Sequence, residues 1–509
     1  MPKIICVPVC VERAAELART VAHAARVADL IELRLDCLPR AELDEALRDL
    51  HALVHSHSCP FIITLRPIEQ GGHREMDSRN RVSFWLDHFG DGDQLTGLAD
   101  IELDLALLLM DDTRVDWSRV ICSHHDFAGA SDLENIYARM TSTPARILKI
   151  AVHANDITDC LAVFHLLERA RRQGREIIAL AMGEAGILTR ILGPSRGAFL
   201  TYGSLDEGSA TAPGQLTVAE LRDLYRVPQL DAQTEIMGLI GQPVSHSVSP
   251  HIHNAAFKAN GLNAVYIPLE VRDSNSFLRR MAHPRTRELA WNLRGLSVTA
   301  PHKSAILEHL DWIEPRAREI GAVNTIVIQG DELHGYNTDA SALLAPLLDH
   351  LGTLHNKRIA LIGAGGAARA ALWSLRRAGA HTTLFARNPE RARPLAEEFD
   401  APFQQLDAAA FDGFDIVINA TPLGTHGHHQ HDTPARSHQL RGAHLIYDLV
   451  YNPLETRFIQ EARDAACDTI GGLSMLVAQA AEQFHLWTGK PAPVEVMHAA
   501  ALRALKGEH

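Results

Sequence analysis

The sequence lacks any long uncharged apolar run, and none reaches the roughly 18 residues that a membrane-spanning helix needs. Residues 4–11 are apolar, but Glu12 and Arg13 follow directly, and no small-residue cleavage site comes after them. Nothing before the first predicted strand resembles a long transit peptide. We therefore expect no signal peptide, no membrane partner and a cytoplasmic location.

Positive charge is also in short supply, since 49 Lys and Arg residues stand against 62 Asp and Glu residues, for a formal net charge of −13. An acidic chain repels phosphate backbones, so the composition argues against a nucleic-acid partner. Any anionic small molecule has to be attracted by a local group of Arg and Lys side chains instead.

Cysteine provides no evident framework for the fold. The seven cysteines are scattered, and no close pair has the spacing of a zinc or redox motif, which predicts reduced thiols packed in the interior. Five histidines fall within Thr425–His438, but their spacing fits no standard ligand set. We expect a solvated loop there, and no metal.

Apolar residues, in contrast, make up 46% of the chain, which is an ordinary globular value. A length of 509 residues exceeds what one hydrophobic core supports, so at least two domains are expected. Residues 1–225 alternate short apolar runs with amphipathic stretches, and eight such units predict a (β/α)8 TIM barrel. The predicted strands are Ile4–Val9, Leu30–Leu35, Phe61–Leu65, Gly97–Leu103, Val120–Ser123, Ile147–Val152, Ile177–Ala181 and Ala198–Tyr202.

A second α/β region follows the polar residues 227–235, which form a predicted linker. It opens with the apolar run Ile236–Ile240, continues in βα alternation to about residue 471, and ends in the helical pattern of 474–505. The sequence predicts three domains. They are a barrel over 1–226, an α/β domain over 236–340 that helices of 474–509 complete, and a Rossmann domain over 341–473.

Charged side chains fall on strands that the barrel would bury. Period two places Glu32, Arg34 and Asp36 on one face of the second strand, and that face has to point to the barrel interior or mouth. The sixth strand carries a lone lysine, Lys149, between apolar neighbours. Lysine is almost never buried unpaired, so Lys149 is either a Schiff-base nucleophile or half of a buried ion pair with Glu32 or Asp36.

Schiff-base chemistry requires a free amine near neutral pH and a group that moves protons. Desolvation and neighbouring guanidinium groups favour the free amine. Arg34, Arg66 and Arg190 are the candidate cations, and they also suit bidentate binding of a carboxylate. The fifth strand ends in His124 and His125, which could transfer protons.

Residues 4–225 resemble the type I 3-dehydroquinate dehydratases, because six motifs occur in the order seen in that family. The motifs are Glu32–Asp36, Thr64–Pro67, Ser123–Phe127, Leu148–Val152, Gly186–Arg190 and Thr211–Gln215. The resemblance implies that Lys149 forms an imine with the substrate ketone and that His125 is the general acid and base, with His124 as its neighbour. The residues that the resemblance assigns to substrate binding are Glu32, Arg34, Arg66, Arg190, Thr211 and Gln215.

One position departs from that family. Its members usually carry Glu immediately before the pair Gly71–Gly72, where the carboxylate partners the histidine. This chain has Gln70 there, with Glu69 one residue earlier. A neutral Gln70 predicts a lower pKa for His125 and leaves the amide to orient the ring, unless the loop shifts and Glu69 takes the carboxylate's place.

Two pairs of polar residues are the candidate site of the second region. Ser247 and Ser249 precede a predicted helix that begins with Pro250, and two hydroxyls at a helix N-terminus suit a carboxylate, although simple N-capping also explains them. Lys303 lies just beyond a predicted strand, and Asp339 lies among small residues. Their apolar surroundings favour a site over surface decoration.

A glycine loop follows the predicted strand Arg358–Ile362. Gly363, Gly365 and Ala368 satisfy the pattern G-x-G-x-x-A between a strand and a helix. The pattern predicts a dinucleotide whose pyrophosphate is approached by backbone N–H groups.

The residues after the next predicted strand, Thr382–Phe385, indicate which dinucleotide is bound. An NAD site has Asp or Glu at this point, to bind the ribose 2′-hydroxyl. Arg387, with Arg391 one turn later, suits a 2′-phosphate instead, so the sequence favours NADP.

Residues 236–500 closely resemble the shikimate dehydrogenases, since Asn419–Gly424, Tyr447–Pro453 and Gly472–Gln479 complete the ordered motifs. The resemblance implies that Lys303 and Asp339 form the catalytic pair and that hydride passes from NADPH to a ketone carbon. The residues implied to contact shikimate are Ser247, Ser249, Thr299, Asn324, Tyr451 and Gln479. The residues implied to line the cofactor are Gly363, Ala364, Gly365, Gly366, Ala367, Arg387, Asn388, Arg391, Leu449 and Gly472.

A dehydratase followed by a dehydrogenase resembles the bifunctional enzymes of aromatic amino-acid biosynthesis, in which the first product, 3-dehydroshikimate, is the second substrate. Two alternatives stay open: a quinate dehydrogenase in the second half, and a quinate-sensing regulator without catalysis. The regulator is opposed by the intact residues Lys149, His125, Lys303 and Asp339, and by the absence of a basic DNA-binding segment. Ser247 and Ser249 together favour shikimate.

Overall fold

The computed structural model describes residues 3–89, 96–129, 132–407 and 409–507. Contacts divide the chain into two compact units. The first consists of Met1–Thr234, Pro268–Met281 and Glu288–Asn292, and the second of Glu235–Ile267, Ala282–Arg287 and Leu293–His509. Among the described residues, no helix is both long and apolar enough to cross a membrane.

The first unit contains a sheet of eight parallel strands that curves into a nearly closed barrel, which confirms the predicted fold. The strands are β1 Ile4–Val9, β2 Leu30–Arg34, β3 Phe61–Thr64, β4 Leu98–Glu102, β5 Val120–Asp126, β6 Ile147–His153, β7 Glu176–Met182 and β8 Leu200–Tyr202. They follow the order β7-β6-β5-β4-β3-β2-β1-β8, so β1 pairs with β8, and a bridge between Ile177 and Ala198 joins β7 to the segment before β8.

Amphipathic helices cover the outside of the barrel. In the first of them Leu17, Val21 and Ala24 are buried, which is the 3.6-residue period of a helix with one apolar face. The α-helices are α1 Ala14–Ala24, α2 Arg40–His55, α3 Ser78–Phe89, α4 Leu103–Leu109, α5 Leu133–Thr141, α6 Cys160–Arg172 and α7 Ile187–Leu192. A π-helical segment, Glu220–Leu224, follows the eighth strand.

The prediction that every thiol is reduced is wrong for one pair of cysteines. Cys10 and Cys37 form a disulfide, with Cα atoms 5.5 Å apart, although 27 positions separate them in sequence. Cys10 comes directly after β1, and Cys37 ends the short helical turn that follows β2. The two strands are neighbours in the sheet, so barrel formation brings the cysteines together. Cys6, Cys59, Cys122, Cys160 and Cys467 are free.

The second unit contains two sheets of six strands. The first sheet follows the order β10-β9-β11-β13-β14-β12 and the second the order β17-β16-β15-β18-β19-β20. The strands of the first sheet are β9 Glu235–Gly241, β10 Ala264–Glu270, β11 Leu293–Val298, β12 Trp312–Ile313, β13 Thr325–Gln329 and β14 Glu332–Tyr336. Those of the second are β15 Arg358–Ile362, β16 His381–Ala386, β17 Phe403–Gln405, β18 Ile416–Asn419, β19 Leu445–Asp448 and β20 Asp468–Ile470.

The second sheet has the strand order 3-2-1-4-5-6 of a Rossmann fold when its strands are counted from β15. Its strands are all parallel, and helices connect most of them. The helices of this half of the chain are α8 Ser249–Ala259, α9 Ser274–Phe277, α10 Pro315–Ile320, α11 Asp339–Leu351, α12 Gly366–Arg377, α13 Pro389–Glu398, α14 Ser437–Leu440, α15 Arg457–Asp464, α16 Leu473–Thr488 and α17 Val494–Lys506.

The C-terminal helical pattern corresponds to two helices, α16 and α17, and both return to the first sheet. Phe484 of α16 and Met497 of α17 are fully buried in one apolar cluster with Met237 of β9 and Phe257 of α8. The last residues of the chain therefore complete the core that the sheet of β9 begins.

Gly295 of β11 leaves room for the indole of Trp487, which gives a test of how this core is packed. A Cβ atom at position 295 would lie 2.1 Å from Trp487 Nε1, whose N–H donates to the Ile326 carbonyl at 3.0 Å. We expect Gly295→Ala to displace the indole and to lower the free energy of unfolding by about 1–3 kcal/mol, as overpacking does. Urea unfolding followed by tryptophan fluorescence measures the change. Gly365→Ala is the control, since no atom lies within 4 Å of its added Cβ, and equal midpoints for the two variants would contradict the prediction.

Candidate active sites

Lys149 lies inside the barrel between two carboxylates. Its Nζ is 2.7 Å from Asp100 Oδ2 and 3.1 Å from Glu32 Oε1, and all three side chains are buried. Thr64 Oγ1 donates to the same Glu32 oxygen at 2.8 Å. The predicted ion pair with Glu32 is therefore present, but Asp100 rather than Asp36 provides the second carboxylate. The ring of Tyr202 lies 4.6 Å from Nζ and covers the lysine.

Arg66 connects this lysine to the histidine of β5. One terminal nitrogen is 2.8 Å from Asp100 Oδ2, and the other is 2.8 Å from His125 Nδ1. Burial alone would raise the pKa of Asp100, but Arg66 and Lys149 outweigh burial and lower that pKa to about 2. Asp100 is thus a carboxylate that two cations share.

Glu102, a second carboxylate of β4, is bound by an arginine of the covering helix α3. Its Oε2 is 2.6 Å from Arg81 of α3, and its Oε1 is 3.9 Å from Arg66. Burial raises the pKa of Glu102 to about 7, while Arg66 and Arg81 act in the opposite direction.

His125 is half-buried beside cations, and this decides its charge. Burial lowers its pKa well below the ordinary value of 6.5, and Arg66, Lys149 and Arg34 lower it further. A guanidinium can only donate, so the contact with Arg66 makes Nδ1 an acceptor and places the ring proton on Nε2. The ring is therefore neutral at pH 7 and able to accept a proton.

Gln70 approaches His125 differently from the predicted contact. Its Oε1 accepts the backbone N–H of His125 at 2.8 Å, so the amide positions the strand end rather than the imidazole. The ring is oriented by Arg66 instead. Glu69 is exposed, so the loop has not shifted to place it in the site of Gln70.

The remaining predicted residues of this half surround the barrel mouth. Arg34 makes a bidentate ion pair with Asp36, which lies beyond the end of β2 in the short helical turn Leu35–Cys37. Arg190 donates to the Pro213 carbonyl at 3.3 Å. Burial lowers the pKa of Arg190 to about 10, and its Nε has no hydrogen-bond partner in the part of the chain that the structure describes.

Thr211 and Gln215 close the loop that Arg190 contacts. The backbone N–H of Thr211 donates to Gln215 Oε1 at 2.7 Å, and its hydroxyl lies 3.2 Å from the same oxygen. The two predicted substrate residues therefore lie next to each other, but they contact each other rather than Lys149.

Asp100, Glu102, Arg81 and Tyr202 were missed by sequence reasoning. Asp100 and Glu102 alternate along β4 in the same way that Glu32 and Arg34 alternate along β2. The period-two argument applied to the second strand would have identified both carboxylates. No comparable alternation identifies the other two residues. Arg81 is on a covering helix, and Tyr202 is an aromatic residue of a kind common in strands.

Lys303 and Asp339 form the centre of the second candidate site. Lys303 Nζ is 2.6 Å from Asp339 Oδ2, and Asn324 Nδ2 donates to Asp339 Oδ1 at 2.8 Å. Asn324 also donates to Thr338 Oγ1 at 2.9 Å. Asp339 is the first residue of α11, so the helix and the amide together hold the carboxylate against the lysine.

Ser247 and Ser249 lie at the start of α8 but do not cap it. The N-cap residue is Val248, without a side-chain cap, and Ser247 Oγ instead accepts the backbone N–H of Ser249 at 3.2 Å. Burial raises the pKa of Tyr451, and a hydrogen bond with Ser247 opposes that rise. The Tyr266 hydroxyl donates to Ser297 Oγ at 2.7 Å and also lies near Ser249. Each serine thus lies beside a tyrosine hydroxyl.

Thr299 and Gln479 are placed by local packing. Thr299 follows β11 directly. Its methyl group packs against Gly241, where an added Cβ would lie only 2.3 Å from the methyl carbon. Gln479 of α16 donates to the carbonyl of Leu476 in its own helix at 3.1 Å.

The glycine loop follows β15, at the point of the sheet where the strand order reverses between β15 and β18. Gly363 has φ of +124°, and a Cβ there would lie 2.8 Å from the Ala420 carbonyl oxygen. Helix α12 starts at Gly366, where a Cβ would be 3.2 Å from Lys303 Cδ. The loop, which includes Ala364, Gly365 and Ala367, therefore lies directly beside the lysine of the other sheet.

Other predicted cofactor residues lie at the ends of β16 and β19. Asn388 caps α13 by accepting the backbone N–H of Arg391 at 3.3 Å, and the side chains of Arg387 and Arg391 are exposed. Leu449 lies against Gly472, where a Cβ would be 2.4 Å from the Leu449 carbonyl oxygen.

Four family profiles match the chain. A type I 3-dehydroquinase profile matches residues 5–232, and a shikimate dehydrogenase substrate-binding domain profile matches 239–326. A shikimate/quinate 5-dehydrogenase profile matches 347–451, and a shikimate 5′-dehydrogenase C-terminal domain profile matches 472–502. Together the matches span both compact units.

Individual relatives agree with these profiles. A bifunctional 3-dehydroquinate dehydratase/shikimate dehydrogenase of Arabidopsis thaliana, named as chloroplastic, is 34% identical over 97% of this chain and 83% of its own length. An NADP(+) shikimate dehydrogenase of Moorella thermoacetica is 42% identical over 53% of this chain and 93% of its own. A crystal structure of a shikimate dehydrogenase with NADP+ superposes with a TM-score of 0.51 at 38% identity, over 54% of this chain and 97% of that one.

The charge of His125 can be tested through Gln70. Gln70→Glu should raise the His125 pKa, because a carboxylate then replaces a neutral amide at the His125 backbone. Nuclear magnetic resonance titration of the imidazole, assigned by its loss in His125→Asn, measures the pKa, which we expect below 6.5 in the native chain. Glu69→Gln is the control and should leave the titration unchanged. A shift in that variant instead would place the tuning carboxylate at position 69.

Proposed function

This chain belongs to the bifunctional 3-dehydroquinate dehydratase/shikimate dehydrogenase family, and we propose that it catalyses both reactions of that name. The barrel would dehydrate 3-dehydroquinate to 3-dehydroshikimate, and the second unit would reduce that product to shikimate with NADPH. The observation that carries the proposal is the presence of two separate lysine sites. Lys149 is enclosed in the barrel among charges, and Lys303 pairs with Asp339 beside the glycine loop.

Lys149 is assigned the covalent step of the dehydration. Its amine attacks the substrate ketone, and loss of one water gives an imine, which acts as an electron sink for the carbon next to it. Asp100 and Glu32 contact Nζ and hold the amine in place inside the barrel. Neutral His125 is assigned to remove the adjacent C–H proton at Nδ1, which requires this nitrogen to leave its contact with Arg66, and to return the proton to the departing hydroxyl. Hydrolysis of the imine then releases the product.

Arg190 is assigned to the substrate carboxylate. It is a buried cation with an unpartnered Nε among the described residues, whereas Arg34 and Arg66 are already engaged by Asp36 and Asp100. A carboxylate would satisfy the open donor, and the hydroxyls of the substrate fall to Thr211 and Gln215 on the adjoining loop.

The glycine loop fits a dinucleotide. A Cβ at Gly363 would lie 2.8 Å from the Ala420 carbonyl oxygen, and one at Gly366 would lie 3.2 Å from Lys303 Cδ, so both positions favour glycine. No atom lies within 4 Å of a Cβ at Gly365, so the backbone there is open to a ligand. The exposed guanidinium groups of Arg387 and Arg391 are placed for the 2′-phosphate of NADP. When bound, NADPH supplies a hydride.

In the reduction, side chains of the protein transfer the proton. Lys303 Nζ would donate to the substrate oxygen while Asp339 accepts from the lysine, and Asn324 fixes the other carboxylate oxygen. Ser247 and Ser249, each beside a tyrosine hydroxyl, are assigned to the shikimate carboxylate. The presence of both serines supports shikimate over quinate, and the two intact lysine sites oppose a regulator without catalysis.

The domain boundaries at residues 226, 236, 340 and 474 are part of this proposal. The cytoplasmic location stays a prediction, because the Arabidopsis relative is named as chloroplastic.

A pair of lysine variants tests the two assignments against each other. Lys149→Met should abolish dehydration, with a loss of at least about 10⁴ in kcat, and leave shikimate oxidation within about twofold. Lys303→Met should do the reverse. Borohydride added with 3-dehydroquinate should add the mass of the reduced ligand to the peptide that contains Lys149. An adduct on another residue, or loss of both activities in one soluble variant, would contradict the proposal.

Cofactor choice depends on Arg387. A charge-assisted contact with the 2′-phosphate contributes about 1.5–3 kcal/mol, so Arg387→Ala should raise the KM for NADP by about ten- to a hundredfold. The KM for NAD should change by less than about twofold, which initial-rate kinetics with both cofactors would show. Arg393→Ala, a nearby arginine whose guanidinium lies 5.2 Å from the Phe403 ring, is the control. A native enzyme that prefers NAD would refute this assignment.

A further inference from the structure

Two cysteines and a histidine meet beyond the ends of three adjacent barrel strands. Cys10 follows β1, Cys37 ends the short helical turn after β2, and His73 lies in the loop after β3. Their sulfur and ring nitrogen atoms lie within 4.8 Å of one another. Neither reaction proposed above uses any of the three side chains.

The loop that carries His73 is held in place by the residues around it. The backbone N–H of His73 donates to Asp36 Oδ2 at 3.3 Å, and Arg34 donates to the Gly71 carbonyl at 3.4 Å. Gly72 lies so close to the main chain that a Cβ there would be 2.0 Å from the Arg66 carbonyl oxygen. The histidine therefore faces the cysteines because of a fixed turn.

Two thiolates and one imidazole are a donor set that zinc prefers over hard cations. In tetrahedral zinc sites the sulfur and nitrogen ligands lie about 2.0–2.3 Å from the metal, hence roughly 3.5–3.8 Å from each other. Small side-chain rotations would bring the three atoms to that separation. Cys10 and His73 are exposed, so a metal ion has a path of entry.

We propose that Cys10, Cys37 and His73 form a zinc site at the barrel mouth that exists only when the cysteines are reduced. The disulfide seen in the structure is the closed form of this site, because its sulfurs have no thiolate charge to offer. A fourth coordination position stays open to water. Oxidation and metal binding are then mutually exclusive states of one pair of thiols.

The interconversion balances with a named reductant. A phosphine gives two electrons to the disulfide, the S–S bond breaks, and one water molecule provides the two thiol protons and the oxygen of the phosphine oxide. Zn²⁺ then forms two Zn–S bonds and one Zn–N bond, and the two thiol protons pass to solvent. Oxidised glutathione reverses the first step: it takes up two electrons and two protons, so Cys10 and Cys37 form the disulfide and two molecules of glutathione are produced.

The experiment measures zinc retained by the full chain after gel filtration, with a colorimetric chelator. Phosphine-reduced native protein should hold one more equivalent of zinc than protein oxidised with glutathione disulfide. The 29 histidines can retain zinc elsewhere on the protein, and the oxidised sample measures this background zinc directly. Cobalt substituted for zinc should give a thiolate charge-transfer absorption band only in the reduced sample.

Variants decide which residues hold the metal. Cys10→Ser, Cys37→Ser and His73→Asn should each lose the extra equivalent or weaken it by more than about a hundredfold. Cys59→Ser and His57→Asn, which lie outside the cluster, should keep it. Equal zinc in the reduced and oxidised native protein would overturn the proposal. So would retention by Cys10→Ser, or an unchanged cobalt spectrum in His73→Asn.

Discussion

The barrel holds lysine, arginine and carboxylate side chains where little water reaches, and this arrangement is stable only because each charge has an opposite partner. Lys149 contacts Asp100 and Glu32, and Arg66 contacts Asp100. Removing one member would leave a buried charge uncompensated, which costs about 3–5 kcal/mol. Three strands supply Glu32, Asp100 and Lys149, and Arg66 follows a fourth, so the strand register and the chemistry of the site are fixed by the same contacts.

The two lysines are assigned different chemical roles, and their surroundings differ accordingly. Lys149 is buried between two carboxylates and beneath the ring of Tyr202, which hold its amine in one place inside the barrel. Lys303 faces a single carboxylate, Asp339, beside an open glycine loop, where it would donate a proton to the substrate oxygen in the proposed reduction. The covalent role requires enclosure, whereas the proton-donating role requires proximity to the cofactor.

The apolar pattern was enough to locate the barrel strands, because a strand buried on both faces is mainly apolar. Ile4–Val9 and Arg358–Ile362 coincide with the structure, and β5 extends three residues beyond its predicted end. Contacts between distant segments were harder to predict. Cys10 and Cys37 meet only because β1 and β2 are neighbours, and a sequence spacing of 27 gives no sign of that.

Net charge and local charge act on different scales in this molecule. The chain as a whole carries −13 and repels the anions that it is proposed to bind, so attraction has to arise at short range. In the barrel Lys149, Arg66 and Arg34 are each paired with a carboxylate, whereas the buried Arg190 donates to the Pro213 carbonyl and leaves its Nε without a partner among the described residues. Under the proposed function, an anion entering the barrel is therefore bound by Arg190, and the neutralised cluster positions Lys149. The cations with carboxylate partners then provide catalytic geometry, and Arg190 provides binding.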